Sequence, residues 1–183
     1  IRETERLLCQ LQITVDACSQ ENIVDRGPIS VEQESDALIL YITRGEGQIS
    51  WQDASYPVYA GMVVVIPRNI EAAFTQPQRF ELAYDIQVDD EDSLVTRQVR
   101  EFFPAEARLE VTSFKVSASL IPKMGFFDNL WEPIILRGAD GWYAGTFERI
   151  LSEMDSPGVG SKAIVEAHMK LFLVTLLRKT TET

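Results

Sequence analysis

Residues 38–74 read LILYITRGEGQISWQDASYPVYAGMVVVIPRNIEAAF, and this stretch limits the fold more than any other part of the chain. Three short apolar runs, Leu38–Ile42, Gln48–Trp51 and Met62–Ile66, are punctuated by Gly45, Gly47, Pro57, Gly61 and Pro67. Short strands between closely spaced turn signals predict a small antiparallel barrel or sandwich. More extended segments flank them. Leu11, Ile13 and Val15 alternate as in a half-buried strand. Ile23, Val24, Ile29 and Val31 surround a Gly27-Pro28 turn, Phe80–Ile86 alternates, and residues 109–121 read as extended. Residues 93–105 are ambiguous between helix and loop. Asp89, Asp90, Glu91 and Asp92 form an acidic run that reads as a solvated loop.

The period changes in the last third. Phe147, Ile150, Leu151 and Met154 fall at helical spacing, and Asp155-Ser156-Pro157-Gly158 ends that helix. Ser161 is the expected N-cap of a second helix, which runs through Ile164, Val165, Met169, Leu171, Phe172, Leu173, Val174, Leu176 and Leu177. Its apolar band is too wide for a helix packed on one side. One face is expected to cover the barrel or the preceding helix, and the rest to meet a second copy of the chain. Phe172→Glu is expected to place a charge in that seam.

Composition narrows the function. The chain has 183 residues, 45% of them hydrophobic, enough for one generous domain or a domain with an appendage. No apolar run approaches the roughly 18 residues of a membrane span, and no leader pattern opens the chain, so a soluble, cytoplasmic protein is expected. A formal charge of −11 argues against direct nucleic-acid binding by this segment. Cys9 and Cys18 match no metal or redox spacing and read as free thiols. The single histidine, His168, lies in the apolar helix and reads as a packed or interface residue. The last residues, LLRKTTET, follow abruptly on that helix, as at the edge of an excised domain, with a natural C-terminus as the alternative.

The order strand, Gly-x-Gly turn, strand, Ala-Gly, strand, Ile-Pro resembles the cupin fold. Metal-dependent cupins place several His and a Glu inside the barrel. Where their P-x-x-x-x-H pattern supplies a ligand, this chain has Ala72. The resemblance therefore implies a barrel that binds a ligand without a metal. Two further segments are similar to the regulatory domain of AraC-type transcription factors. Met124-Gly125-Phe126-Phe127-Asp128-Asn129-Leu130-Trp131-Glu132-Pro133 is similar to the family's G-L-F-D-x-L-x-x-P. Pro157-Gly158-Val159-Gly160-Ser161, followed by a helix containing Leu176-Leu177-Arg178, is similar to its P-G-x-G-S and L-L-R. This resemblance covers most of residues 30–178. It implies a sensor barrel over residues 1–121, with an N-terminal arm, and a linker and dimerising helices over 122–183. It also implies a DNA-binding helix-turn-helix domain outside this chain.

An effector site can be sketched from two motif halves. Arg2 and Arg6 are spaced to share one side of the chain, where two guanidiniums can fork onto phosphate and stack on a purine. Asp53 and Ser55 place a carboxylate and a hydroxyl at a turn beside Trp51, whose indole offers a stacking surface. R-x-x-x-R ahead of a barrel with D-x-S on it resembles the cyclic di-GMP motif of PilZ domains, although Val58 stands where that motif has Gly. The resemblance implies cyclic di-GMP on the barrel exterior, held by Arg2, Arg6, Asp53, Ser55 and Trp51. Other readings stay open: a sugar or other small molecule inside the barrel, a metal-free cupin enzyme using Glu46 or Glu71, or a dimerisation module with a filled barrel. No catalytic residue, cofactor or membrane partner is expected.

Overall fold

β2 (Ala37–Arg44) and β5 (Val63–Pro67) show why the sequence runs apolar without alternation in these places. Leu38, Leu40, Ile42, Val64 and Ile66 point into one apolar cluster, while Ala37, Ile39, Tyr41, Val63 and Val65 point into another. A strand buried on both faces has no polar side to display. The computed structural model describes residues 6, 9–23, 35–75, 80–89, 92–101, 109–120, 124–128, 130–137 and 141–181. β2 and β5 lie at the centre of the larger sheet. With β1 (Gln12–Ile23), β9 (Leu109–Leu120) and β11 (Ile134–Leu136) its order is β1-β9-β2-β5-β11, and β10 (Met124–Gly125) pairs with β9. A second sheet has the order β4-β3-β6, from β3 (Glu46–Trp51), β4 (Ala54–Tyr59) and β6 (Ala73–Thr75). β7 (Phe80–Asp89) and β8 (Asp92–Glu101) form a separate antiparallel hairpin.

The space between the two sheets is the barrel interior. Ile49, Val58 and Phe74 from the small sheet meet Leu38, Leu40, Ile42, Val64, Ile66, Leu109 and Val111 from the large one. Ala72, at the position of the absent histidine, is buried in this cluster. Gly45 (φ 85°) and Gly61 (φ 93°) supply the left-handed backbone that links β2 to β3 and β4 to β5. The outer face of the large sheet is covered by α1 (Ala144–Asp155) and α2 (Ser161–Thr181). Phe147 is the hub of that layer. It stacks on Tyr41 at 4.8 Å and meets Phe114 at 6.0 Å, Tyr143 at 6.1 Å and Phe172 at 4.9 Å between ring centroids. The strands before residue 121 and the helices after residue 141 thus share one core.

The mainly β architecture with two C-terminal helices agrees with the sequence reading, but several local expectations do not. Residues 93–101 are a strand, paired so that Leu82 faces Val99 and Ile86 faces Val95 across β7 and β8. The Asp89–Asp92 pair closes this hairpin, and residues 90–91 lie outside the described part. Ala54 and Ser55 begin β4 rather than a hairpin tip, and the tip is the two-residue loop Gln52-Asp53. Pro57 is tolerated in β4 because that strand lies at the sheet edge. Ser161 is the first residue of α2 rather than its cap, since Ile164 N–H donates to the Gly160 carbonyl at 3.0 Å. Its hydroxyl instead accepts the Gly158 N–H at 2.7 Å and donates to the Glu153 carboxylate at 2.8 Å, fastening the interhelical loop to α1. Phe172 is 1% exposed and belongs to the core, so it does not form an outer seam. The solvent side of α2 carries Ile164 and Leu171, 41% and 54% exposed and seven residues apart on one stripe. The expected segment at residues 24–31 lies outside the described part.

Candidate functional site at the barrel mouth

The register of β2 against β5 builds one end of the barrel. Ala37 pairs with Pro67, which brings the residue before β2, Asp36, against the residue after β5, Arg68. The Arg68 guanidinium donates to Asp36 Oδ1 at 3.0 Å and to the Ser35 carbonyl at 2.9 Å. Asp36 Oδ2 accepts the Ala118 N–H at 2.9 Å, and the Arg68 N–H donates to the Asp36 carbonyl at 2.9 Å. One carboxylate therefore ties β2, β5 and β9 together at this rim. The Arg68 guanidinium is thus held by two acceptors, one of them charged.

Above this rim lies an open groove of about 980 Å³. Asp36, Arg68, Asn69, Ile70 and Glu71 form one wall, Trp51 and Gln52 come from the β3–β4 hairpin, and Phe127, Asp128, Leu130 and Trp131 come from the segment between β10 and β11. That segment is anchored at both ends. The Phe126 N–H donates to the Ala118 carbonyl at 3.0 Å, and Ile134 pairs with Val65. Asp128 Oδ2 accepts the Gly125 N–H at 2.8 Å, and a Cβ at residue 125 would displace that carboxylate from its present position. Phe127 is buried beneath the segment in the helix-side core, whereas Trp131 stands 80% exposed. Gln52 (φ 54°) and Asn69 (φ 70°), the two described non-glycine residues with left-handed backbone, both line the groove. Both sit in tight turns, Gln52 in the two-residue β3–β4 loop and Asn69 after β5, where left-handed backbone is common and asparagine tolerates it well.

The residues singled out from sequence are distributed unevenly around this geometry. Trp51, Asp53 and Ser55 share the β3–β4 hairpin, and Ser55 Oγ lies 3.0 Å from Ser50 Oγ. Trp51 lines the groove, while Asp53 and Ser55 are exposed and are not among its lining residues. Arg6 is exposed ahead of β1, the edge strand of the other sheet, and Arg2 lies outside the described residues. Glu71 is in the groove wall and Glu46 starts β3. The sequence reading missed Asp36, Gln52, Arg68 and Asn69. Only Pro67-Arg68-Asn69, a turn with an asparagine suited to left-handed backbone, carried a signal for them. Among the described residues no group of three or more His, Cys, Asp or Glu is placed to hold a metal ion. His168 is on α2, which packs on the opposite face of the sheet from the barrel interior. Cys9 and Cys18 are free and exposed. No helix among the described residues is long and apolar enough to cross a membrane.

Two buried phenols connect the barrel to the helices. The Tyr143 hydroxyl donates to the Gly61 carbonyl at 2.8 Å and to the Leu136 carbonyl at 3.1 Å, joining the start of α1 to the β4–β5 turn and to the end of β11. Burial, reinforced by Tyr41 and Tyr59, pushes its pKa up to about 12. Burial and then Glu148 also raise Tyr41 above the ordinary phenol value.

A family model described as "Cupin" matches residues 13–182. No curated protein matches the chain in sequence. Among solved structures, a cupin-2 domain containing protein from Shewanella frigidimarina is similar at 11% identity and a TM-score of 0.31, over 61% of this chain and 71% of that one. A lysine-to-alanine variant of apo ToxT from Vibrio cholerae is similar at 9% identity and a TM-score of 0.46, over 92% of this chain. The match spans 55% of the length of the ToxT chain.

Proposed function

The chain belongs to the cupin family, and on that footing we propose that it is the effector-sensing and dimerising domain of an AraC-type transcription regulator. The observation that carries the reading is the placement of an open, indole-walled groove at the mouth of a barrel with an apolar interior. A polar effector pays a large desolvation penalty among Leu38, Leu40, Ile49 and Phe74, whereas the mouth offers both aromatic surface and hydrogen-bonding groups. The AraC assignment is supported by the Pro157–Ser161 segment, whose serine fastens the two helices, and by the similarity of residues 124–133 to the family's own stretch. Ile164 and Leu171 give α2 an apolar stripe suited to a second copy. DNA contact is assigned to a separate domain of the regulator, in keeping with the charge of −11. Sensing without catalysis is the role of the domain in this account.

Ligand bound in the groove would hold the segment between β10 and β11, where Phe127 reaches into the core shared with Phe147 and Phe172. A ligand that favours one position of this segment shifts the helix layer by its differential affinity for the two arrangements. Cyclic di-GMP on the barrel exterior is the second reading, favoured by the gathering of Trp51, Asp53 and Ser55 on one hairpin. A thermal-shift screen of sugars, amines, carboxylates and cyclic dinucleotides separates the two. A ligand at one hundred times its Kd adds about 2.7 kcal/mol of stability. Trp131→Ala reduces the response for a groove ligand and leaves a cyclic di-GMP response intact. Arg6→Ala and Asp53→Ala do the reverse. A screen in which no compound stabilises the chain contradicts the sensor reading.

A further inference from the structure

We infer that the groove at the barrel mouth selects an organic cation with an apolar body, a quaternary or aryl-substituted onium ion in chemical class. This deepens the effector-site reading above and rests on it. Among the described residues, three carboxylates, Asp36, Glu71 and Asp128, line the groove against one guanidinium, Arg68. Asp36 and Arg68 neutralise each other at 3.0 Å, which leaves the wall with the two negative charges of Glu71 and Asp128. An anion entering here meets like charge, and the field of a chain with formal charge −11 adds to the repulsion. A cation meets the opposite.

The aromatic residues of the groove point the same way. Trp51 and Trp131 are indoles, the side chain whose face attracts cations best. Trp131 stands 80% exposed, so its ring face is open to a ligand without rearrangement of the core. An onium ion with aryl or alkyl substituents uses both features, covering indole surface with its body and placing its charge near the carboxylates. The groove, at about 980 Å³, is within the range of pockets that take drug-sized ligands.

Tetraphenylphosphonium and tetraphenylborate have nearly the same shape and opposite charge, so the pair isolates the sign of the ligand. Titration of the chain with each, followed by tryptophan fluorescence and calorimetry, is expected to show the phosphonium at least about tenfold tighter than the borate. Its affinity is expected to fall as salt rises. Trp131→Ala is expected to weaken the phosphonium by about 2- to 30-fold. The exposed Glu71→Gln with Asp128→Asn, which keeps an acceptor for the Gly125 N–H, is expected to erase most of the preference for the cation. Equal or tighter borate binding, or phosphonium binding untouched by Trp131→Ala, overturns the inference. If a neutral or anionic screening compound binds with Trp131-dependent affinity while the phosphonium does not bind, the cation class falls and the effector groove stands. If no ligand depends on Trp131, both fall.

Discussion

Tyr143→Phe removes one oxygen atom from the point where the barrel rim, β11 and α1 meet. The ring is 2% exposed and packs edge-on to Phe147 and Phe172, and the substitution leaves those contacts in place. The loss is the three-centre hydrogen bond to the Gly61 and Leu136 carbonyls, at 2.8 and 3.1 Å. Both acceptors are partly buried, so water replaces the phenol incompletely, and the cost is about 1–2 kcal/mol. For a chain of this length that is a fall in Tm of about 2–8 °C near neutral pH. The pH dependence supplies an independent check. Tyr143 titrates near 12 when folded and at an ordinary phenol value of 10.0 when unfolded. Its raised pKa therefore contributes stability that is complete below pH 10 and is lost as the pH rises from 10 through 12. Denaturant melts at intervals of half a pH unit are expected to show a steeper alkaline loss in the wild type than in the variant, so that the two curves converge. Equal Tm at neutral pH together with parallel alkaline curves would refute this role of the Tyr143 hydroxyl.

Ser161→Ala removes both the acceptor for the Gly158 N–H and the donor to Glu153, and is expected to cost about 0.5–2 kcal/mol in chemical denaturation. Phe172→Ala opens a cavity beside Trp142, Tyr143 and Phe147 and is expected to cost about 3–5 kcal/mol, measured by the same melts. Leu171→Glu, on the exposed stripe of α2, is expected to change monomer stability by no more than about 0.5 kcal/mol while weakening self-association in sedimentation velocity. Unchanged sedimentation of Leu171→Glu would remove the stripe as a dimer seam.

Much of the barrel is legible in the sequence because β2, β5 and β9 are long or strongly apolar and their turns carry glycine and proline. β4 is hidden by Pro57, which reads as punctuation until the sheet order places it on an edge. β8 is hidden because Thr96, Arg97 and Gln98 interrupt any apolar pattern, and its identity comes from pairing with β7. β11 has three residues, too few to alternate. The same distinction governs the site. Trp51 is visible beside a turn, but Asp36 and Arg68 are 32 residues apart and meet only through the β2–β5 register. Trp131 reaches the groove because the segment before β11 is drawn to the free edge of β5. Long-range pairings of this kind leave no local trace. In α2 the band from Ile164 to Leu177 is legible, but which part faces the core depends on the strands beneath it. Phe172 therefore belongs to the interior and Leu171 to the surface.

In the proposed function, effector recognition occurs at the barrel mouth. Amide and indole chemical-shift mapping tests it most directly, with the best ligand from the screen added to saturation. The indole N–H signals of Trp51 and Trp131 and the amides of Gln52, Asn69 and Asp128 are expected to shift together, with smaller changes relayed to Phe147 and Tyr143. Shifts confined to Arg6, Asp53 and Ser55, or to the barrel-interior residues Leu40, Ile49 and Val64, would contradict it.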